Sequence, residues 1–292
     1  MMLKKRIFIF LLISLFLIST ITNFGIIGSA KGEALYVGGG GDGNYSTLQD
    51  AINTSSNGDI IFIYKGTYYE NIIINKSISL IGENKNDTII NGNNSSIALS
   101  ISSDYVNITG LTITGGNNTG LLLNKSFFCN IYQNIIIHNF IGIDIIASNN
   151  SNFFNNTIKN NSGFGFNIPT PKLQSSSHNI IYHNNFLNNQ LNVFDEGTSN
   201  NWSFENEGNF YDDYDGLDKN NDGIGDSPYL LSDGGNKDNY PLMMPYYGKI
   251  RLKEFYVDDE SLYTMLIIGM IVAILFLLPI GFYWYKKTKH LR

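Results

Sequence analysis

Short apolar runs recur through the middle of this chain, each fenced by asparagine. Asn107-Ile108-Thr109-Gly110-Leu111-Thr112-Ile113 aligns with Asn130-Ile131-Tyr132-Gln133-Asn134-Ile135-Ile136. Asn152-Phe153-Phe154-Asn155-Asn156-Thr157-Ile158 follows, then Asn179-Ile180-Ile181-Tyr182-His183-Asn184-Asn185. The leading asparagines are 23, 22 and 27 residues apart, and Ile168-Pro169-Thr170-Pro171-Lys172 reads as a loop that stretches the last interval. Each unit carries a second apolar run, such as Gly120-Leu121-Leu122-Leu123 or Gly142-Ile143-Asp144-Ile145-Ile146. One such unit has no core of its own, but stacked units bury a continuous apolar column. Alternation predicts Ile, Leu, Val and Phe inward with Thr, Ser and Asn outward. Asparagine suits left-handed turns, and stacked amides hydrogen-bond from coil to coil. The pattern therefore predicts an all-β solenoid.

A solenoid needs covers at both ends. Ser46-Thr47-Leu48-Gln49 has the form of a capping box, and Leu48, Ala51 and Ile52 share one helical face, predicting a short N-terminal capping helix. The first strand follows at Ile60-Ile61-Phe62-Ile63-Tyr64, and an Asp/Gly-rich run over 208–229 is expected to close the far end. The chain ends are apolar. Lys4-Lys5-Arg6, the run Ile7 to Ile21 and the small residues Gly28, Ser29 and Ala30 read as a signal peptide over 1–30; the alternative is an uncleaved anchor. The run Met265 to Trp284 predicts one C-terminal transmembrane helix over 263–285. Asp258, Asp259 and Glu260 precede it, while Lys286, Lys287, Lys289 and Arg292 follow in a tail over 286–292. By the positive-inside rule that tail is cytoplasmic. The β domain over 31–246, with its linker over 247–262, is then extracellular on a single-pass anchor in the cell membrane.

The net charge is −6, and no arginine lies between Arg6 and Arg251, which argues against nucleic acid as a partner. Cys129 is the only cysteine, so no intrachain disulfide can form; among Phe127, Phe128 and Ile131 it reads as a core residue. Asparagine occurs 40 times, in 13 Asn-x-Ser/Thr sequons. Asn44, Asn53, Asn86, Asn117, Asn124 and Asn201 are the candidate glycosylation sites of a surface glycoprotein. Asn107 and Asn155 lie inside repeats, where turn geometry is an alternative reason for asparagine.

Two stretches resemble proteins of the NosD type. One is Leu48-Gln49-Asp50-Ala51-Ile52, Gly58-Asp59-Ile60-Ile61, Tyr64-Lys65-Gly66-Thr67-Tyr68-Tyr69-Glu70-Asn71 and Ile78-Ser79-Leu80-Ile81-Gly82. The other is Gly208-Asn209-Phe210-Tyr211, Asp222-Gly223-Ile224-Gly225-Asp226, Pro228-Tyr229 and Asp238-Asn239-Tyr240-Pro241-Leu242. The resemblance implies a pectin-lyase-like right-handed parallel β-helix, of the class called carbohydrate-binding and sugar-hydrolysis domains. It also implies a link to copper, because NosD itself is an exported accessory factor in copper-site maturation of nitrous oxide reductase. Many relatives of this architecture are archaeal surface proteins, which a membrane anchor suits better.

The candidate chemistry is sparse. Asp218, Asn220, Asp222 and Asp226, with the Ile224 carbonyl, place oxygens at alternate positions of a loop, the pattern calcium needs, but Tyr229 stands where an EF-hand has its bidentate glutamate. Copper finds only scattered donors in His138, His178, His183, Cys129, Met243 and Met244, with His183 read as a ladder substitute for asparagine. Glycoside hydrolysis needs two carboxylates, and from Ile97 to Asn192 the acids are Asp104 and Asp144 alone. Lyase chemistry needs a base beside a cation, and that stretch offers no arginine. Binding is the reading that remains. Asn, Thr and Ser ladders can hydrogen-bond polysaccharide or cell-surface glycans, with Tyr68, Tyr69, Tyr132, Tyr182 and Trp202 as candidate aromatic contacts.

Overall fold

The computed structural model describes residues 32–169, 175–232 and 235–247. The signal peptide, the transmembrane span, the tail and most of the linker expected from sequence lie outside them. Among the described residues no helix is long and apolar enough to cross a membrane. The chain winds as a right-handed parallel β-solenoid of about 8 turns.

Three parallel faces make the walls. The first stacks Ala34–Val37, Ile60–Ile63, Ser79–Gly82, Asn107–Thr109, Asn130–Tyr132, Asn152–Phe154 and Ile180–Tyr182. The second runs from Gly66–Tyr69 through the first part of Thr88–Ile101 and of Thr112–Asn124, then Ile135–Ile137, Thr157–Lys159, Asn185–Leu187 and Phe210–Tyr211. The third runs from Ile72–Ile74 through the last part of the same two long strands to Ile141–Ile146, Phe164–Ile168 and Leu191–Asp195. We number the corners likewise: the first joins faces one and two, the second joins two and three, and the third returns to face one.

These residues form strands because β-branched side chains fit a pleated, half-buried wall. Turns are set by left-handed positions that recur at each corner, such as Gly110, Gln133, Asn155 and His183 at the first and His138, Asn160 and Asn188 at the second. Alternation sends Ile108, Ile131, Phe153 and Ile181 inward from the first face, Ile113, Ile136, Ile158 and Phe186 from the second, and Leu123, Ile145 and Ile168 from the third; all are fully buried.

The helix is Leu48–Thr54, and Leu48, Ala51 and Ile52 bury as expected. Thr47 is the N-cap and pairs with Asp50, so the box lies one residue beyond Ser46. Glu70, one coil away, accepts from the Leu48 and Gln49 N–H groups at 2.8 and 2.9 Å. Those two orphan donors of the helix start are thereby met by a carboxylate, which also complements the dipole.

The buried asparagines depart from the expectation that Asn points outward. Asn134, Asn156, Asn184 and Asn209 are fully buried at the first corner. Each side-chain N–H donates to the carbonyl oxygen of the next coil's Asn, at 3.2, 3.0 and 2.9 Å. The same oxygen accepts the backbone N–H of the preceding coil, as Asn156 does from Asn134 at 3.0 Å. A second ladder, Asn139–Asn161–Asn189, fills the second corner. At the third corner Ser126, Ser148 and Ser176 form one line, and Cys129, Ser151, Asn179 and Asn200 a second.

One alignment from sequence shifts by a residue. Asn152 pairs with Ile180, not Asn179, and Asn156 with Asn184 across 28 residues. His183 therefore takes the outer turn place of Gln133 and Asn155, and Asn184 holds the ladder. The loop expected after Ile168 lies mostly outside the described residues; the coil is longer by several residues, and a row of adjacent polar residues hid the slip.

Removing one ladder amide strands several buried groups. In Asn156→Leu the Asn134 N–H and the Ile131 carbonyl lose their partners, at about 1–3 kcal/mol for each group left unsatisfied. We expect chemical denaturation to show a loss of at least about 2 kcal/mol by the lower end of that range; a loss below about 0.5 kcal/mol, the scale of a neutral surface change, would show the ladder to be incidental.

Candidate ligand-binding face

On the outside of the first face, alternation draws two lanes along the solenoid axis. The first holds Asn107, Asn130 and Asn152. Asn152 donates to Asn130 at 2.9 Å, Asn130 to Asn107 at 2.8 Å, and Asn107 to the Ser79 hydroxyl at 3.0 Å. This lane runs opposite to the buried ladders: its N–H groups point toward the N-terminal coils. An amide has two N–H donors and an oxygen with two lone pairs, so each link leaves a donor and a lone pair per residue for solvent or a ligand.

The second lane is Thr109, Tyr132, Phe154 and Tyr182, with Phe204 beyond. Tyr132 and Phe154 lie 4.9 Å apart at 6°, Phe154 and Tyr182 5.3 Å apart at 16°, and Tyr182 and Phe204 5.1 Å apart at 40°. The rings stack on one another at the coil spacing, so their faces are spent and their edges form a wall beside the amides. Tyr132 and Tyr182 are thus flanks of a lane rather than open stacking platforms.

Two other aromatic candidates leave the surface altogether. Trp202 is 1% exposed, packs edge-on against Phe166, and donates its indole N–H to Asp195 at 2.8 Å. Tyr68 is a core residue whose hydroxyl donates to the Tyr64 carbonyl at 2.8 Å. Tyr69 is exposed, but on the second face. Sequence pointed to Asn ladders in general without saying which asparagines form the exterior lane. Its signal was the recurrence of Asn at 107, 130 and 152 with Thr, Tyr and Phe two residues on.

At the first corner His183 contacts Glu207 at 2.5 Å and stacks on Tyr246 at 3.9 Å and 8°. The backbone of Tyr246 exchanges two hydrogen bonds with the Asn185 side chain, which fastens the segment leaving the solenoid.

Each buried ladder that closes in asparagine ends on a carboxylate. The last amide of the first donates to Asp238, which also accepts the Asn209 and Tyr240 N–H groups at 2.7 and 2.9 Å and the Tyr211 hydroxyl. The second continues through Asn192 to Asp212 and Asp213. The third ends at Asp195, which accepts from Asn200. Burial pushes the Asp238 carboxyl up to about 6, against the pull of the N–H groups from Tyr240 and Asn209.

In the Asp/Gly-rich loop, Asp218 accepts the Asp222 and Gly223 N–H groups, Asp222 that of Ile224, and Asp226 that of Lys219. Asn220 donates to Asp222 at 2.8 Å. Oxygens expected to face a cation thus turn toward the loop's own backbone. Among the described residues no group of three or more His, Cys, Asp and Glu could hold a metal ion. His138, His178 and His183 fall on the second, third and first corners, and Cys129 is buried with its thiol pushed up to about 11 by that burial. The described residues do not fit a copper site. Asp104 accepts the Phe127 N–H. Asp144 is buried on the third face against Asn167, and burial raises its carboxyl.

A family model described as "Periplasmic copper-binding protein (NosD)" matches residues 19–216, over half of the chain. The chain belongs to the NosD family. A relative from Methanothermus fervidus named "Cell surface glycoprotein" is 33% identical over 135 residues, covering 45% of this chain and 21% of its own length. A "Probable ABC transporter binding protein NosD" from Stutzerimonas stutzeri is 30% identical over 158 residues, covering 49% of this chain and 35% of its own. The matches thus span about a fifth and a third of these curated relatives. Among solved structures, an alginate lyase from Paenibacillus sp. str. FPU-7 is 19% identical with a TM-score of 0.40, covering 48% of this chain and 58% of the other. The pectin methylesterase from carrot is 15% identical with a TM-score of 0.38, covering 60% and 72%.

The Asp238 environment predicts a pH dependence. A carboxyl that ordinarily titrates near 3.8 and titrates near 6 when folded binds its proton more tightly in the folded state. Its stabilising contribution is therefore full below about 4 and lost as pH rises through about 6, up to roughly 3 kcal/mol. Between pH 4 and pH 7.5 the melting temperature of the wild type should fall relative to that of Asp238→Asn. Equal pH slopes for the two proteins would contradict the assignment.

Proposed function

We propose that this NosD-family β-helix is a membrane-tethered, outward-facing surface module whose first face binds carbohydrate. One observation carries the reading: an amide lane, walled by ring edges, repeats a donor and an acceptor on three successive coils along one line. A ligand that repeats hydroxyls along its length, as a polysaccharide does, can meet such a lane at several rungs at once. The signal-like start, the apolar C-terminal segment and a relative named a cell surface glycoprotein support the outward placement. Binding rather than turnover fits the acids of the coils, since Asp104 and Asp144 are each already bonded and stand on different segments.

A copper-maturation accessory is the second reading, favoured by family membership. The dispersal of the imidazoles over three corners weighs against it. Calcium would serve the Asp218–Asp226 loop as a stabiliser, because alternate oxygens suit a hard cation once they turn from the backbone.

A glycan array probed with the full chain in detergent tests the proposal. We expect retention of polysaccharide without cleavage, and at least about tenfold weaker binding, about 1.4 kcal/mol, for Asn130→Ala combined with Asn152→Ala. Unchanged binding in that variant would remove the lane, and release of new reducing or unsaturated ends would make the protein an enzyme. Separately, millimolar calcium should raise the melting temperature, and Asp222→Ala should abolish the rise. No rise in the wild-type chain would remove the metal.

A further inference from the structure

The sequons separate sharply when both of their ends are weighed. Transfer of an oligosaccharide to asparagine requires the transferase to hold the Ser or Thr hydroxyl while the amide nitrogen reacts. On a folded chain both residues must therefore be reachable. Most sequons fail at one end. Asn86, Asn117 and Asn124 are exposed, yet their partners Thr88, Thr119 and Ser126 are almost wholly buried. Asn53 and Asn201 are exposed above Ser55 and Ser203, which are also buried. Asn44 is half-buried and donates one amide N–H to the Gly38 carbonyl at 2.7 Å.

Asn75 and Asn93 are exposed, but their Ser77 and Ser95 are half-buried with hydroxyls already hydrogen-bonded. Two sequons pass at both ends. Asn94 and Ser96 are both exposed, as are Asn160 and Ser162. No side-chain hydrogen bond engages Asn94, Asn160, Ser96 or Ser162 among the described residues. Both asparagines stand in left-handed turns, with φ of 60° and 53°. Both also lie at the second corner: Asn94 in the irregular bend between Asn91 and Ile97, Asn160 between Lys159 and the buried Asn161. The amide lane sits on the first face, away from this corner.

We infer that Asn94 and Asn160 are the acceptors of N-linked oligosaccharide, which makes the second corner the glycan-bearing edge and leaves the first face bare. The donor is a lipid-phosphate-linked oligosaccharide. The Asn Nδ2 bonds to the anomeric carbon, the bond from that carbon to the phosphate oxygen breaks, and the amide proton leaves as the lipid phosphate departs. The inference rests on the outward placement proposed above.

Glycopeptide mass spectrometry of the full chain from its native host tests it, with Asn94→Gln and Asn160→Gln alongside. We expect glycans on the peptides holding Asn94 and Asn160, and loss of one oligosaccharide mass in each variant. Occupancy at Asn86, Asn117 or Asn124, or none at either inferred site, would overturn it. A membrane-impermeant amine label on intact cells, read at the exposed Lys65 and Lys125, separates the two claims. Label without glycan defeats this inference alone, whereas neither label nor glycan defeats the outward placement as well.

Discussion

An interior amide that passes its hydrogen bond from one coil to the next is the interaction on which this fold depends. A coil of about two dozen residues cannot bury its corner backbone groups without partners, because turns leave N–H and C=O groups unpaired where strands end. Asn134, Asn156, Asn184 and Asn209 supply those partners from inside, each accepting a backbone N–H and donating to a backbone C=O of the neighbouring coil. The apolar column supplies the driving force; the amides make its corners compatible with burial.

Such a ladder has a direction, and direction creates an end problem. Along each ladder the amide-to-amide hydrogen bond runs toward the C-terminus, so the last amide has no further asparagine to receive it. A carboxylate accepts and does not donate, which explains why Asp238, Asp212 with Asp213, and Asp195 stand at the three ends. At the other end of the first ladder the requirement is milder: the Asn134 oxygen simply accepts the Leu111 N–H, and an apolar residue suffices there. The C-terminal segment rich in acids is therefore a terminator for amides, whatever else its exposed loop does. The exterior lane on the first face runs the opposite way and is unsealed by acids, which is why it can offer donors and acceptors to a ligand.

Much of this was legible from residues alone. The period, the inward Ile and Phe and the capping helix over Leu48–Thr54 follow from alternation and turn chemistry. What sequence could not show was which of two adjacent asparagines turns inward, since Asn155 and Asn156 are the same residue type with opposite fates. That ambiguity produced the one-residue slip at Asn179 and the misplaced role of His183. Trp202 was also opaque, because nothing local reveals that a tryptophan between polar neighbours will face Asp195 across a sealed end. Ring stacking at the coil spacing is likewise a property of several coils together, so Tyr132 and Tyr182 looked like open platforms when read one at a time.

Native-state hydrogen exchange in the Asp238→Ala chain tests the central claim most directly. If carboxylates terminate directional ladders, the backbone N–H of Asn209 should lose protection first, Asn184 next, and Asn134 least, in order of distance from the removed acceptor. Uniform protection across all three, indistinguishable from wild type, would contradict the account.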